Sequence, residues 1–233
     1  MSSTVDIGIL LFPEVTQLDA TGPAQVLARV PGATVHLIWK NLDPVATDAG
    51  FSIVPTTTFE AAPKLDVLLV PGGAGQIPLM TDAETLGFLR VRAKEARFIT
   101  SVCTGSLLLA AAGLLKGYKA TSHWAWRDML SALGAYPVNA RVVRDRNRIT
   151  GGGVTAGIDF GLTLAAELAG EEAAKMIQLT LEYAPDPPFD CGTPERAGKR
   201  RVAAFRKRAE KTTALREEAV RAATAREQTK RRR

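Results

Sequence analysis

The stretch Thr100-Ser101-Val102-Cys103-Thr104-Gly105-Ser106 has residue types and spacing suited to chemistry. A strand-type run ends at Val102, a helix-type run begins at Ser106, and a cysteine stands at the turn among small residues. A nucleophile elbow needs this layout, because the sharp turn lifts the side chain off the sheet while small neighbours avoid a clash. The turn also aims the free amides of the helix N-terminus at the sulfur, which lowers a thiol pKa from its usual ~8.5. The expected chemistry is that of a nucleophilic Cys103 thiolate. An inert buried cysteine is the alternative, and it would leave the turn chemistry without a use.

Other groups could serve that sulfur. Pro71-Gly72-Gly73 follows a second strand at its carboxyl end, where open α/β sheets bind ligands. Glycines there let a backbone N–H approach a developing anion. Asp19 lies in the loop after the first strand, within Gln17-Leu18-Asp19-Ala20. It could shuttle protons if partial burial raised its pKa, or cap the next helix, and the spacing leaves both open. His123 is twenty residues beyond Cys103, and the His123-Trp124 pair reads as pocket lining rather than a Cys–His dyad. Gly151-Gly152-Gly153-Val154-Thr155 lacks the Gly-Lys-Ser/Thr ending of a phosphate loop, so a lid or close helix–sheet packing is expected. Cys191, in a Pro/Gly loop, reads as incidental. Cys103 and Cys191 have neither disulfide-framework nor zinc spacing, so no metal is expected and reduced thiols in the cytoplasm are.

The elements that must position these groups alternate. Val5–Phe12, Ala33–Trp39, Leu65–Val70 and Arg97–Val102 read as strands, the first and third as apolar runs of the kind buried on both faces of a parallel sheet. Helices are expected at 24–29, 82–96, 106–115, 123–133, 155–168 and 171–183, with hairpins at 45–54 and 140–150. Strands alternating with helices predict an α/β fold: a mostly parallel central sheet covered on both faces. No basic-then-apolar leader precedes Val5, and the longest apolar stretch, 107–115, is shorter than the ~20 residues a spanning helix needs.

The net charge of +6 divides unevenly. Residues 196–233 hold fifteen Lys and Arg against four Glu, giving +11; the whole chain has 30 and 24, so residues 1–195 hold fifteen against twenty, giving −5. The division predicts an α/β domain over 1–195 and a basic helical extension over 196–233. Val202, Phe205, Ala209, Leu215, Ala219 and Ala222 form a thin apolar stripe along that extension. It lacks aromatic interleaving beyond Phe205, so non-specific polyanion binding is all the basic charge implies for nucleic acid.

Taken in order, several pieces resemble the ThiJ/PfpI superfamily with its flavodoxin-like, class I glutamine-amidotransferase-like fold. They are Phe12-Pro13 through Gln17-Leu18-Asp19 and Gly22-Pro23, Val70-Pro71-Gly72-Gly73, Val102-Cys103-Thr104-Gly105, Thr121-Ser122-His123-Trp124, 150–159 and Pro187-Pro188-Phe189. Within the superfamily they are most similar to the isonitrile-hydrating branch. The protease-like and glyoxalase-like branches usually place His after the nucleophile, where Thr104 stands here. The resemblance implies hydration of an isonitrile to an N-substituted formamide through a covalent thioimidate on Cys103. Asp19 would move protons, and Thr104 would bond the thiolate or position water. Gly72, Gly73, Gly105, His123, Gly153 and Val154 would line the oxyanion and substrate site. It implies no cofactor, and a homodimer. Two further readings stay open within the superfamily: a redox-sensing or deglycase/glyoxalase-like stress protein, and a non-catalytic ligand-binding domain like the sensor half of AraC-type regulators, whose helix-turn-helix output has no counterpart here.

Overall fold

Strands that are apolar at nearly every position need cover on both faces. The computed structural model of the chain, which describes residues 4–231, supplies it. β1 (Val5–Leu10), β2 (Ala33–Trp39), β3 (Thr57–Thr58), β4 (Val67–Val70), β5 (Phe98–Val102), β6 (Val142–Asp145) and β7 (Arg148–Gly151) form one seven-stranded sheet. Its order is β6-β7-β5-β4-β1-β2-β3. All pairs are parallel except the β6–β7 hairpin. Alternate side chains serve alternate faces: Ile7, Ile9 and Leu11 join Val67 and Leu69 in one core, while Leu10 and Phe12 join Leu68 and Val70 in the other.

Helices close both sides. α1 (Gln17–Leu27), α4 (Ala156–Ala169) and α5 (Glu171–Thr180) cover the first core with Val26, Leu27, Phe160, Leu164 and Ile177. α2 (Ala83–Glu95), α3 (Gly105–Ala111) and the 33-residue α6 (Lys199–Arg231) cover the second with Leu86, Leu89, Leu107, Leu108 and Val220. The expected sandwich is therefore the observed one. Asp82 caps α2 by accepting from the Thr85 N–H at 3.0 Å. Among the described residues, no helix is long and apolar enough to cross a membrane.

Three elements differ from expectation. α1 starts at Gln17 rather than Ala24, with Pro23 inside it, so Asp19 sits in the first helical turn and not in a loop. Pro23 forfeits one helical bond, but its ring packs closely under α4, where a Cβ on Gly157 would lie 3.1 Å from it. The segment expected as a helix from His123 is a series of turns followed by a 3-10 helix, Arg127–Leu133, which ends at Gly134 with φ +82°. Along the basic extension the inward face follows the predicted stripe at Val202, Phe205 and Ala209, each partly buried, and departs from it further on. Leu215 is 48% exposed and Ala222 is exposed, whereas Arg216, Val220 and Ala223 are buried. Thus α6 lies against the α/β body, and Thr213 Oγ1 accepts from Trp126 Nε1 at 2.9 Å.

Candidate active site

The parallel register brings the carboxyl ends of β4, β5 and β7 level. Val70 pairs with Ser101, and Gly151 with Val102. The segments leaving these strands therefore meet at one edge: Pro71-Gly72-Gly73, Cys103 and Gly152. α1 brings Asp19 in from β1, beside β4, where the chain's connections change direction across the sheet. Ligands bind at such switch points in open α/β sheets.

Cys103 adopts φ +55°, a left-handed conformation that costs a non-glycine residue energy and occurs at nucleophile elbows. Four hydrogen bonds hold it there. Its N–H donates to the carbonyls of Gly151 (3.1 Å) and Gly152 (2.8 Å), and its carbonyl accepts from Ser106 Oγ (3.1 Å) and Ser122 Oγ (3.0 Å). Gly105 follows because a Cβ there would run into the carbonyl oxygens of Val70 and Pro71.

Asp19 is fully buried, and Oδ2 accepts from the Gly72 N–H at 2.9 Å. The Gly73 N–H donates to Thr104 Oγ1 at 3.2 Å. A Cβ on Gly72 would sit 2.6 Å from Thr104 N and 2.8 Å from Asp19 Oδ2, so only glycine fits between them. Both glycine amides are thus engaged with site side chains. The Thr104 amide is the backbone donor acting on the Cys103 sulfur.

Burial pushes the Asp19 carboxyl up to about 7, against the downward pull of the Gly72 amide and the Cys103 thiol. Burial also pushes the Cys103 thiol well above its ordinary range; the Asp19 charge adds to this, while the Thr104 amide and the Arg216 guanidinium oppose it. The lowering expected from helix amides is overridden, because excluding water from the sulfur disfavours its charged form more than one amide favours it. The pair shares protons: thiol with carboxylate, and thiolate with carboxylic acid, carry the same charge.

His123 is held near 4 by burial and by Arg216, so it is neutral at pH 7. Its Nδ1 accepts from the Ala125 N–H at 3.3 Å, and its ring lies in a cluster with Trp124, Trp126 and Phe205. It shares the wall of a recess of about 480 Å³ with Ser122, Trp124, Gly153, Val154 and Thr155. Cys103 is not in that wall, but Ser122 touches both. Cys191 is exposed, and the chain's other histidine, His36, pairs with Asp6 at 2.7 Å. Among the described residues, no group of three or more His, Cys, Asp or Glu is placed to hold a metal ion.

Sequence reasoning missed two residues here. Gln76, just after the Pro71–Gly75 turn, is fully buried with neither amide atom hydrogen-bonded. Arg216 of α6 is 2% exposed, with Nε and Nη1 unpartnered among the described residues. Gln76 carried no signal. Arg216 carried one, since positions 202, 205, 209, 213, 216, 220 and 223 step by three and four along one helix face. Its residue type hid it.

The DJ-1/PfpI family model matches residues 5–167. The chain belongs to the DJ-1/PfpI family. Within the family, it is 58% identical to an isonitrile hydratase of Pseudomonas putida over 221 residues, covering 95% of this chain and 97% of that protein. A crystal structure of a ThiJ/PfpI family protein from Pseudomonas syringae superposes with a TM-score of 0.91 at 48% identity, covering 94% of this chain and 91% of that one. An HTH-type transcriptional regulator, GbdR, of Pseudomonas aeruginosa is 34% identical over 76% of this chain but only 50% of its own length. The DJ-1/PfpI fold here thus has a counterpart in half of that regulator.

Proposed function

We propose that this protein hydrates isonitriles, R–N≡C, to N-substituted formamides, with Cys103 as nucleophile and Asp19 as proton carrier. The observation that carries the reading is the buried, proton-sharing Cys103–Asp19 pair, in a chain 58% identical to an isonitrile hydratase. Cys103 is only 5% exposed, and a terminal N≡C is a slender linear group that needs little room to reach its sulfur.

The reaction balances on that pair. As sulfur bonds to the terminal carbon, the thiol proton passes to Asp19 and then to that carbon, giving the thioimidate Cys–S–CH=N–R. The ionised carboxyl next takes a proton from water as hydroxide adds to the carbon, and returns it to nitrogen. Collapse breaks the C–S bond, transfers the hydroxyl proton to Asp19 and releases R–NH–CHO with the thiolate. A carboxyl poised near 7 can both give and take protons at neutral pH. Thr104, whose oxygen accepts from Gly73, keeps its own O–H to donate to sulfur or water. Gly72 and Gly73 act as braces for Asp19 and Thr104, while the Thr104 amide faces developing charge. His123, Gly153 and Val154 line the approach.

The test is incubation of purified protein with an aromatic isonitrile while formamide is followed. Formamide formation that vanishes in Cys103→Ala supports the reading; its absence in the parent protein overturns it. The proposal includes a homodimer, supported by the family resemblance, working in the cytoplasm, supported by the two free thiols; light scattering at the mass of one chain would remove the dimer.

A further inference from the structure

Arg216 is a buried cation that forms no ion pair with a carboxylate among the described residues. Its guanidinium lies over the face of Trp126 at 4.0 Å, and Nη2 reaches the Gly73 carbonyl at 3.5 Å. Among the described residues, Nε and Nη1 have no hydrogen-bond partner. Taking an arginine out of water is costly unless an anion or a set of hydrogen bonds compensates, so an incompletely satisfied one marks a site that uses it. The Gly73 peptide that receives Nη2 donates its own N–H to Thr104, the residue after Cys103.

We propose that Arg216 is the counter-ion of the Cys103 thiolate, so that the C-terminal helix supplies a positioning charge to the active site. This rests on Cys103 being the reacting atom. The charges facing the pair are few. Cys103 feels Asp19 from α1 and Arg216 from α6; Asp19 also feels Asp48; Arg216 acts on Cys103 and on the neutral His123. With one proton between Cys103 and Asp19, the pair carries a single negative charge and Arg216 balances it. The anion acting on Arg216 is that of Cys103. The cation therefore favours the form in which sulfur, rather than Asp19, is ionised, which is the form that attacks carbon. Burial lowers Arg216 to about 10, so it stays charged at neutral pH.

The test reads the sulfur directly. Thiolate absorbance near 240 nm is titrated in the Cys191→Ser protein, with the Cys191→Ser/Cys103→Ala protein subtracted. Arg216→Met should move the Cys103 midpoint up by about one pH unit or more, a tenfold loss of thiolate at any lower pH. Turnover of an aromatic isonitrile should fall at least tenfold at pH 7. Arg216→Lys, which keeps the charge, should recover most of the midpoint shift. A folded Arg216→Met protein with an unmoved midpoint, or a lysine variant as shifted as the methionine one, overturns the assignment. If the methionine variant does not fold, Arg216→Gln keeps a polar head at that position and carries the same comparison. The two readings separate cleanly: a shifted midpoint in a protein that consumes no isonitrile keeps the counter-ion and removes the substrate class.

Discussion

The elbow at Cys103 and the helix α6 contribute to the same site in opposite ways. At the elbow the sequence is small and locally determined. Cys103 is forced to φ +55° by its immediate neighbours and by bonds to Gly151 and Gly152, and Gly105 is required by the carbonyls it passes. α6 is long, basic and mostly exposed, and few of its side chains reach the core. One region is specified nearly residue by residue; the other reaches the body at spaced positions, among them Phe205, Thr213, Arg216, Val220 and Ala223. Chemistry in this fold therefore depends on a dense turn and on a sparse helix that closes over it.

The sharpest way to break that contrast is at the sulfur. Cys103→Ala should reduce isonitrile turnover by about 10³-fold or more, to background, while the far-UV circular dichroism stays unchanged. Asp19→Asn comes next, with a loss of about 10²-fold or more in turnover and a distinctive pH signature in urea unfolding. The folded-state pKa of about 7 lies above the ordinary value of 3.8, so the folded protein holds more protons than the unfolded chain between those values. Wild-type stability should fall as pH rises through that window, and the contribution of the protonated carboxyl should be gone above pH 7. The variant, lacking the carboxyl, should gain about 2–3 kcal/mol on the wild type between pH 5 and pH 8. A pH-independent difference would mean that Asp19 is not the raised group.

Legibility in the sequence divides along the same line. The apolar runs of β1 and β4 and the small residues at 100–106 announce their places, because a strand buried on both faces and a tight turn each restrict residue type locally. Asp19 was legible as a candidate but not as a helical residue, because Pro23 is normally a helix-start signal and here stands mid-helix beneath α4. The direction of the Cys103 shift was not legible, since enclosure depends on elements distant in the chain. Arg216 was hidden by chemistry: a stripe drawn only through apolar residues passes over a cation, even when spacing by three and four runs through it.

Gly105→Ala tests the dense side through packing alone. The added methyl meets the carbonyls of Val70, at the end of β4, and of Pro71 just after it, which are backbone atoms and cannot swing aside as a side chain would. Stability should drop by about 3 kcal/mol, with turnover lost even in the fraction that folds. Unchanged thermal unfolding would show that the turn has room. On the sparse side, Val220→Ala removes two carbons from a side chain that is 5% exposed. It should cost about 1–2 kcal/mol, with the thiol ionisation left in place because Arg216 and Trp126 keep their contact.

The smallest effect belongs to the outer face of α6. Lys207, Arg208 and Lys211 are exposed, so their combined replacement by Gln should change stability by no more than about 0.5 kcal/mol and leave turnover untouched. It should still weaken retention on a heparin column at low salt, because exposed positive charge binds polyanions through counter-ion release rather than shape. The same substitutions lowering turnover as strongly as Arg216→Met would mean that the net charge of the helix, and not one buried guanidinium, governs the sulfur. Debye screening argues for the buried group: at ordinary ionic strength an exposed charge beyond about 8–10 Å is largely cancelled, whereas one sealed beside Trp126 is not.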